Sequence, residues 1–154
     1  MFAARIAAPK EDVKLASYGE SLETKAAPER LWRLWADTST WPSWNPDIEA
    51  VNLDRPLGEG ATGTMRTKSG GTHNIAIRDV EPGRSFVLQS DGVPATKLLF
   101  KCEVAPLSTG SRISQSVTLQ GPLSFIFGPM MGGRIAQSFR PLLQGLASAA
   151  EREK

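Results

Sequence analysis

The segment from residue 48 to residue 120 constrains the fold most, because its apolar residues alternate with polar ones between short turn-forming sequences. The alternation predicts six consecutive strands, at 47–53, 61–68, 72–81, 84–90, 96–105 and 111–120. Turns such as Gly70-Gly71 and Pro82-Gly83 separate them and are too short to join parallel strands. We therefore expect an antiparallel meander, to which a loosely alternating segment at 17–25 adds a further strand.

Two short helical or turn segments are expected before the meander. The sequence after Pro28, a residue suited to a first helical turn, has one apolar stripe at helical spacing, formed by Leu31, Leu34 and Trp35. The next segment, residues 38–47, is dense in turn formers. It predicts a short second helix or turn that carries Trp41 and Trp44, which either pack in the core or form a wall of a pocket mouth.

The chain ends in a long stretch with helical spacing. Its apolar residues recur every three or four positions, at Ile135, Phe139, Leu142, Leu146 and Ala149. Pro141 cannot donate a backbone hydrogen bond to the carbonyl of Gln137, so we expect a kink near Gln137. An apolar group just before this helix is expected to be core, to gate a cavity or to touch a membrane surface; it comprises Phe125, Phe127, Met130 and Met131.

The parity of the strands assigns one apolar face to the sheet. Its apolar members include Met65, Ile75, Ile77, Phe86, Leu88, Leu98, Phe100, Val117 and Leu119. Thr67, His73, Cys102 and Gln115 share that face and add a few polar atoms. A helix is about 10 Å wide with its side chains, whereas six strands at about 4.8 Å spacing span more than twice that width. One long helix therefore leaves part of the face uncovered, which predicts an apolar cavity beneath it.

Length, charge and cysteine content exclude several classes of protein. The 154 residues fit a single domain, which we place at 17–154 after a loose N-terminal arm at 1–16. A net charge of +2 without basic clusters argues against nucleic acid as a partner. The single cysteine and the lack of a signal-peptide pattern or a membrane-length apolar segment favour a cytoplasmic protein without stable membrane insertion.

Three segments resemble one known superfamily. They are LWRLWADTSTWPSWNPDIEAV at 31–51, VEPGRSF at 80–86 and the closing segment that begins GPLSFIFGPMM at 121. Together with the element order, they resemble the START-related helix-grip superfamily (SRPBCC), which includes polyketide cyclases/dehydrases and lipid-transport proteins. The resemblance covers about 17–151 and implies an α+β helix-grip fold: a curved antiparallel sheet of about seven strands, two short helices and a long C-terminal helix over an apolar cavity. No catalytic set is common to the superfamily, so none is transferred.

The candidate ligand-binding residues are those expected to line this cavity. They are Trp44, Met65, Thr67, His73, Ile75, Phe86, Leu88, Leu98, Phe100, Gln115, Val117, Phe127, Met131, Ile135 and Phe139. Each has a plain alternative, which is that it packs in the core or makes local hydrogen bonds. His73 is the only histidine and hence the only candidate for histidine acid–base catalysis, although a half-exposed strand end is the simpler interpretation.

Several familiar motifs are excluded. Gly58, Gly60 and Gly63 match G-x-G-x-x-G in letters but precede a strand, whereas a dinucleotide loop precedes a helix. One histidine and one cysteine cannot build a structural zinc site, so no metal or other cofactor is expected. Cys102 lacks a neighbouring base in the sequence pattern and is a poor candidate nucleophile.

Three functions stay open from the sequence. The first is binding or transport of a small hydrophobic molecule, either a lipid or a polyketide-like compound, in the internal cavity. The second is a polyketide cyclase or dehydratase type of enzyme that acts in the same cavity. The third is a protein-binding module, which an exposed apolar patch would favour. The ligand, the oligomeric state and the pathway are not determined by the sequence.

Overall fold

The computed structural model describes residues 17–93 and 95–152. The proposed N-terminal arm at 1–16 lies outside them. Seven strands form one antiparallel sheet: β1 Ser17–Thr24, β2 Ile48–Leu53, β3 Thr62–Thr67, β4 Gly71–Glu81, β5 Ser85–Val93, β6 Thr96–Pro106 and β7 Ser111–Gln120. The described helices are α1 Pro28–Ala36, α2 Trp41–Trp44, α3 Ser124–Ala136 and α4 Phe139–Arg152, with a 3₁₀ turn at Thr38–Thr40.

The strand order β1-β7-β6-β5-β4-β3-β2 confirms the meander, with β1 added beside β7. Hairpins join each of the strands from β2 to β7 to the next one in the chain. At the opposite edge of the sheet β1 pairs with β7, for example through Tyr18 and Val117. The inner-face parity also holds. Leu88, Phe100 and Val117 are aligned across three adjacent strands, and the alternate positions carry polar side chains such as Lys101.

The first two helices close one part of the concave face through an aromatic cluster. The apolar stripe that the helical spacing predicts on α1 is buried, as expected. Phe86, which is 0% exposed, is surrounded by three tryptophan rings with centroids 6.0, 5.9 and 6.4 Å away, those of Trp32, Trp35 and Trp41. The Trp41 indole also donates a hydrogen bond to the carbonyl of Trp35 at 3.0 Å, which links α1 to α2.

The long C-terminal helix is divided into α3 and α4 at Gln137 and Ser138. This confirms the expected effect of Pro141, since the carbonyl of Gln137 has no partner four residues later. The hydroxyl of Ser138 donates to the carbonyl of Ile135 at 2.6 Å and so satisfies one acceptor at the end of α3.

The helical spacing placed the apolar group at 125–131 before the helix, which was wrong, whereas the family resemblance included it in the closing segment. These residues do not precede the helix but form most of α3, with Pro129 inside it. Its small residues allow this helix to pack closely on the sheet. Gly128 and Gly132 are buried, and the Gly132 backbone lies so close to the ring of Tyr18 that a Cβ there would overlap it. Helix α3 thus packs on β7 and β1, and α4 packs on β1, β7, α1 and α2.

Candidate functional site

The candidate ligand-binding residues divide into two groups by burial. Seven are buried core residues: Trp44, Ile75, Phe86, Leu88, Leu98, Val117 and Phe139. Eight are only half-buried, and we call them the half-buried set: Met65, Thr67, His73, Phe100, Gln115, Phe127, Met131 and Ile135. The first group is held by protein contacts, and only the second has surface left for another molecule.

Phe100 shows where the concave face is incompletely covered. Its lateral neighbours Leu88 and Val117 are buried, as are Leu98 and Cys102 on its own strand. The ring of Phe100 points away from the sheet, toward the helices. There it meets the ring of Phe139 edge to face at 6.1 Å, without being sealed by it. Phe100 thus keeps some accessible surface, although its neighbours on the concave face are buried.

Two cavities lie away from Phe100. One, of about 370 Å³, is a groove on the outer face of the sheet lined by charged residues such as Arg84, Lys101 and Glu103. The other, of about 560 Å³, lies along β1 and β7 beside Arg140. Charged and polar residues line both, so neither is the apolar cavity that the sequence predicts. That cavity stays a prediction, supported by the accessible surface at Phe100.

Gln115 and Cys102 supply polar atoms on the concave face. The Cys102 thiol donates to the side-chain oxygen of Gln115 at 3.5 Å. Burial raises the pKa of the Cys102 thiol well above its usual value, and the charge of Glu103 adds to the rise. A thiol held in its neutral form is a weak nucleophile, so Cys102 acts here as a buried hydrogen-bond donor.

His73 lies at one end of the sheet beside a carboxylate. Its Nδ1 is 3.8 Å from an oxygen of Asp91. Asp91 also accepts hydrogen bonds from the backbone N–H and the side-chain amide of Asn74, at 3.1 and 3.2 Å. The Thr67 hydroxyl accepts the Gly70 N–H at 3.0 Å in the adjoining turn. His73 and Thr67 are therefore placed together at the rim of the concave face.

The same end of the sheet holds the start of α3. The β3–β4 turn, the β5–β6 turn and the exit of β7 all meet there, since Thr67 pairs with Gly71 and Lys97 pairs with both Asp91 and Gln120. We call it the His73 end. The half-buried residues Phe127 and Met131 belong to this helix. The half-buried set therefore combines polar residues from the sheet with apolar residues from the sheet and from the helix.

Sequence reasoning missed an ion pair that joins the last helix to the edge strand. Arg140 donates to Glu20 at 3.4 Å. The parity of β1, which aligns Glu20 with Gln115, was the signal that could have placed Glu20 on the inner side. Among the residues that the structure describes, no three His, Cys, Asp or Glu side chains cluster as a metal site would need. None of the described helices is long and apolar enough to cross a membrane.

A curved seven-stranded sheet covered by C-terminal helices defines a helix-grip protein. A family model described as "Polyketide cyclase / dehydrase and lipid transport" matches residues 16–151. The chain therefore belongs to that family. A search of curated proteins finds no match.

Solved structures share the fold at low sequence identity. Truncated norcoclaurine synthase from Thalictrum flavum is 13% identical with a TM-score of 0.70, over 91% of this chain and 96% of that one. A START superfamily protein from Mycobacterium smegmatis is 15% identical with a TM-score of 0.69, over 88% and 97%. The di-domain aromatase/cyclase BexL is 18% identical with a TM-score of 0.66, over 99% of this chain and 57% of that one. At such identities the likeness establishes the fold alone.

Proposed function

We propose that the protein binds or carries a small hydrophobic molecule between its concave sheet and its C-terminal helices. The observation that carries the proposal is the accessible surface of Phe100, whose neighbours Leu88 and Val117 on the adjacent strands are buried. Apolar surface exposed to water in a recess is stabilised when an apolar guest covers it. The family description, which includes lipid transport, agrees with this role.

The half-buried set has the composition that such a site needs. Its apolar members, such as Met65, Phe100 and Ile135, would contact the body of the ligand, and Gln115, His73 and Thr67 would orient a polar end. Covering about 300 Å² of apolar surface is worth roughly 7 kcal/mol before the costs of association. Those costs amount to several kcal/mol, so affinity of about micromolar strength is expected.

A pair of variants on β6 tests the proposal. Phe100→Ser places a polar group on the concave face, whereas Leu99→Ser makes the same kind of change at a half-buried residue on the outer face. Titration with the fluorescent fatty acid cis-parinaric acid should show binding by the unmodified protein and by Leu99→Ser. Binding by Phe100→Ser should be at least tenfold weaker, once circular dichroism has shown that both variants are folded. Equal affinities, or no binding by the unmodified protein and no ligand adduct in native mass spectrometry, would refute the proposal.

A cyclase or dehydratase activity is the second candidate, and the pairing of His73 with Asp91 favours it. At 3.8 Å the Asp91 carboxylate is beyond hydrogen-bond distance of Nδ1, but its charge would favour the imidazolium that forms if His73 takes a proton from the substrate. Turnover of a poly-β-ketone thioester that is lost in His73→Gln and reduced in Asp91→Asn would establish this chemistry. Unchanged turnover in His73→Gln would exclude His73 as the base.

A further inference from the structure

Gln115 belongs to a row of polar side chains on the concave face. In the sheet register Cys102 of β6 is aligned with Gln115 of β7, and Gln115 is aligned with Glu20 of β1. Ile113 and Val117, two positions before and after Gln115, are fully buried in the core. Because side chains two positions apart on a strand share a face, the Gln115 side chain lies on the concave side as well.

The Cys102 thiol determines how the carboxamide of Gln115 is oriented. The buried sulfur lies 3.5 Å from the Gln115 oxygen, to which the thiol donates. Burial raises the pKa of this thiol, so it stays protonated at neutral pH and remains a donor. A donor pairs with the carboxamide oxygen and not with the NH₂ group, which has no acceptor site. The oxygen is thus held toward Cys102, and the nitrogen is the free end of the side chain.

Within the part of the chain that the structure describes, the amide nitrogen of Gln115 has no hydrogen-bond partner. Glu20, its neighbour on β1, accepts instead from Arg140 at 3.4 Å. No buried or half-buried residue among those described has a fully buried side-chain nitrogen or oxygen that lacks a partner. Since Gln115 is half-buried and its nitrogen is unpaired among these residues, that nitrogen reaches accessible surface.

This nitrogen lies close to the surface where we place the ligand. Phe100 is aligned with Val117, two positions after Gln115, so Phe100 and Gln115 are diagonal neighbours on the concave face. Diagonal pairs are about 7–8 Å apart, a distance that long side chains reach across. Gln115 also borders the polar cavity along β1 and β7, but alternation along β7 directs Ser114 and Ser116 to that face and the Gln115 side chain to the other.

We propose that the Gln115 amide, oriented by Cys102, makes the site select apolar ligands that carry a carbonyl oxygen. The inference rests on the proposed function and adds the polar feature of the ligand. A ligand that covers Phe100 displaces water from the Gln115 nitrogen, and a carbonyl oxygen restores the lost hydrogen bond. A matched molecule without the oxygen leaves a desolvated donor unsatisfied, which costs more than a hydrogen bond gains. Cys102 is a positioning residue, since it acts on the ligand through Gln115.

Equilibrium dialysis with 2-acetylnaphthalene and 2-ethylnaphthalene tests this selection. The two probes have the same carbon skeleton and differ only in that a ketone C=O replaces a CH₂ group. Gln115→Leu removes the donor and keeps a side chain of similar size. It should weaken ketone binding about tenfold relative to hydrocarbon binding. Gln89→Leu changes a half-buried glutamine on the outer face of β5 and is the matched control, which should leave the ratio of the two dissociation constants unchanged.

Variants of Cys102 test the positioning role separately. Cys102→Ser keeps a donor for the Gln115 oxygen and should preserve the ketone preference. Cys102→Ala removes the donor, lets the carboxamide rotate and should reduce the preference about threefold. If the thiol had a structural role alone, Cys102→Ala would change the affinities for both probes by the same factor and leave their ratio as it was.

The outcomes distinguish this inference from the proposed function. Binding of both probes with the same ratio of dissociation constants in the unmodified protein and in Gln115→Leu would overturn the inference and leave the proposed function standing. Lack of ketone binding by a protein that binds cis-parinaric acid would also overturn it. If neither the probes nor cis-parinaric acid bind, both proposals fail. Gln115→Met, which preserves the length of the side chain, replaces Gln115→Leu if circular dichroism shows that the leucine variant is unfolded.

Discussion

The rings of Phe100 and Phe139 meet edge to face, with centroids 6.1 Å apart, and join the concave sheet to the first turn of the last helix. The two residues differ in burial, since Phe139 is 1% exposed whereas Phe100 keeps accessible surface. Phe139 is therefore a structural contact, and Phe100 is both a structural contact and the centre of the proposed site. Substitutions of Phe139 should therefore change stability, whereas substitutions of Phe100 should also change ligand binding.

Replacing Phe139 tests the effect on stability. Phe139→Ala should lower the free energy of unfolding by about 3–5 kcal/mol, because it removes a fully buried aromatic side chain. Phe125→Ala, which changes an exposed phenylalanine on the neighbouring helix, should change it by less than about 0.5 kcal/mol. Urea unfolding followed by tryptophan fluorescence measures both. If the free energy of unfolding fell by a similar amount in the two variants, the Phe139 contact would not be part of the core.

Two glycines of the C-terminal helices should respond in opposite directions to alanine. At Gly145 a Cβ would overlap the carbonyl oxygen of Trp44, so Gly145→Ala should destabilise the protein by about 1–3 kcal/mol. At Gly133 a Cβ meets nothing within 4 Å, and Gly133→Ala should stabilise it by about 0.5–1 kcal/mol through helix propensity. Thermal and urea unfolding of the two variants provide the measurement. Stabilisation by both would show that α4 and α2 are not in close contact.

The Cys102 thiol should make stability fall at alkaline pH. Burial raises its pKa in the folded protein, whereas the unfolded chain loses the proton near pH 8.5. Above that pH the unfolded state binds fewer protons than the folded state. The stabilisation is therefore complete below about pH 8.5 and is lost by about 1.4 kcal/mol per pH unit as pH rises toward the folded-state pKa.

The comparison of the unmodified protein with Cys102→Ala isolates this effect from other groups that titrate at high pH. Unfolding free energies measured at pH 7.5, 9 and 10 should converge for the two proteins as pH rises. A difference that does not depend on pH would show that the thiol is accessible to water in the folded protein.

Pro129 should limit the stability of α3. It lies inside the helix, where it cannot donate to the carbonyl of Phe125. Pro129→Ala should therefore raise the free energy of unfolding by about 1–3 kcal/mol. Pro28→Ala, at the first position of α1, should instead lower it by up to about 1 kcal/mol, because that N–H has no helical partner and proline restricts the unfolded chain. Chemical unfolding measures the sign of each change in the free energy of unfolding. A decrease in both variants would contradict the conclusion that Pro129 destabilises α3.

Much of the fold was predictable because its signals are local. Alternation along β3 to β7 and the turns at Gly70-Gly71 and Pro82-Gly83 depend only on neighbouring residues, as does the break that Pro141 causes at Gln137. The helix at α3 was not predictable in this way. Pro129 and four nearby glycines indicate a loop, and packing against Tyr18 overrides that local preference.

The candidate site was predicted less completely, for a physical reason that Phe86 and Phe100 illustrate. Both are phenylalanines with inner-face parity, and the sequence alone assigns them the same role. Phe86 is enclosed by three tryptophans from the first helices, whereas Phe100 lies under the less complete cover of the C-terminal helices. The sequence by itself determined the strands, their parity and the apolar character of one face. Only the tertiary structure decided which of those residues are covered by protein and which keep accessible surface, because coverage depends on contacts between segments far apart in the chain.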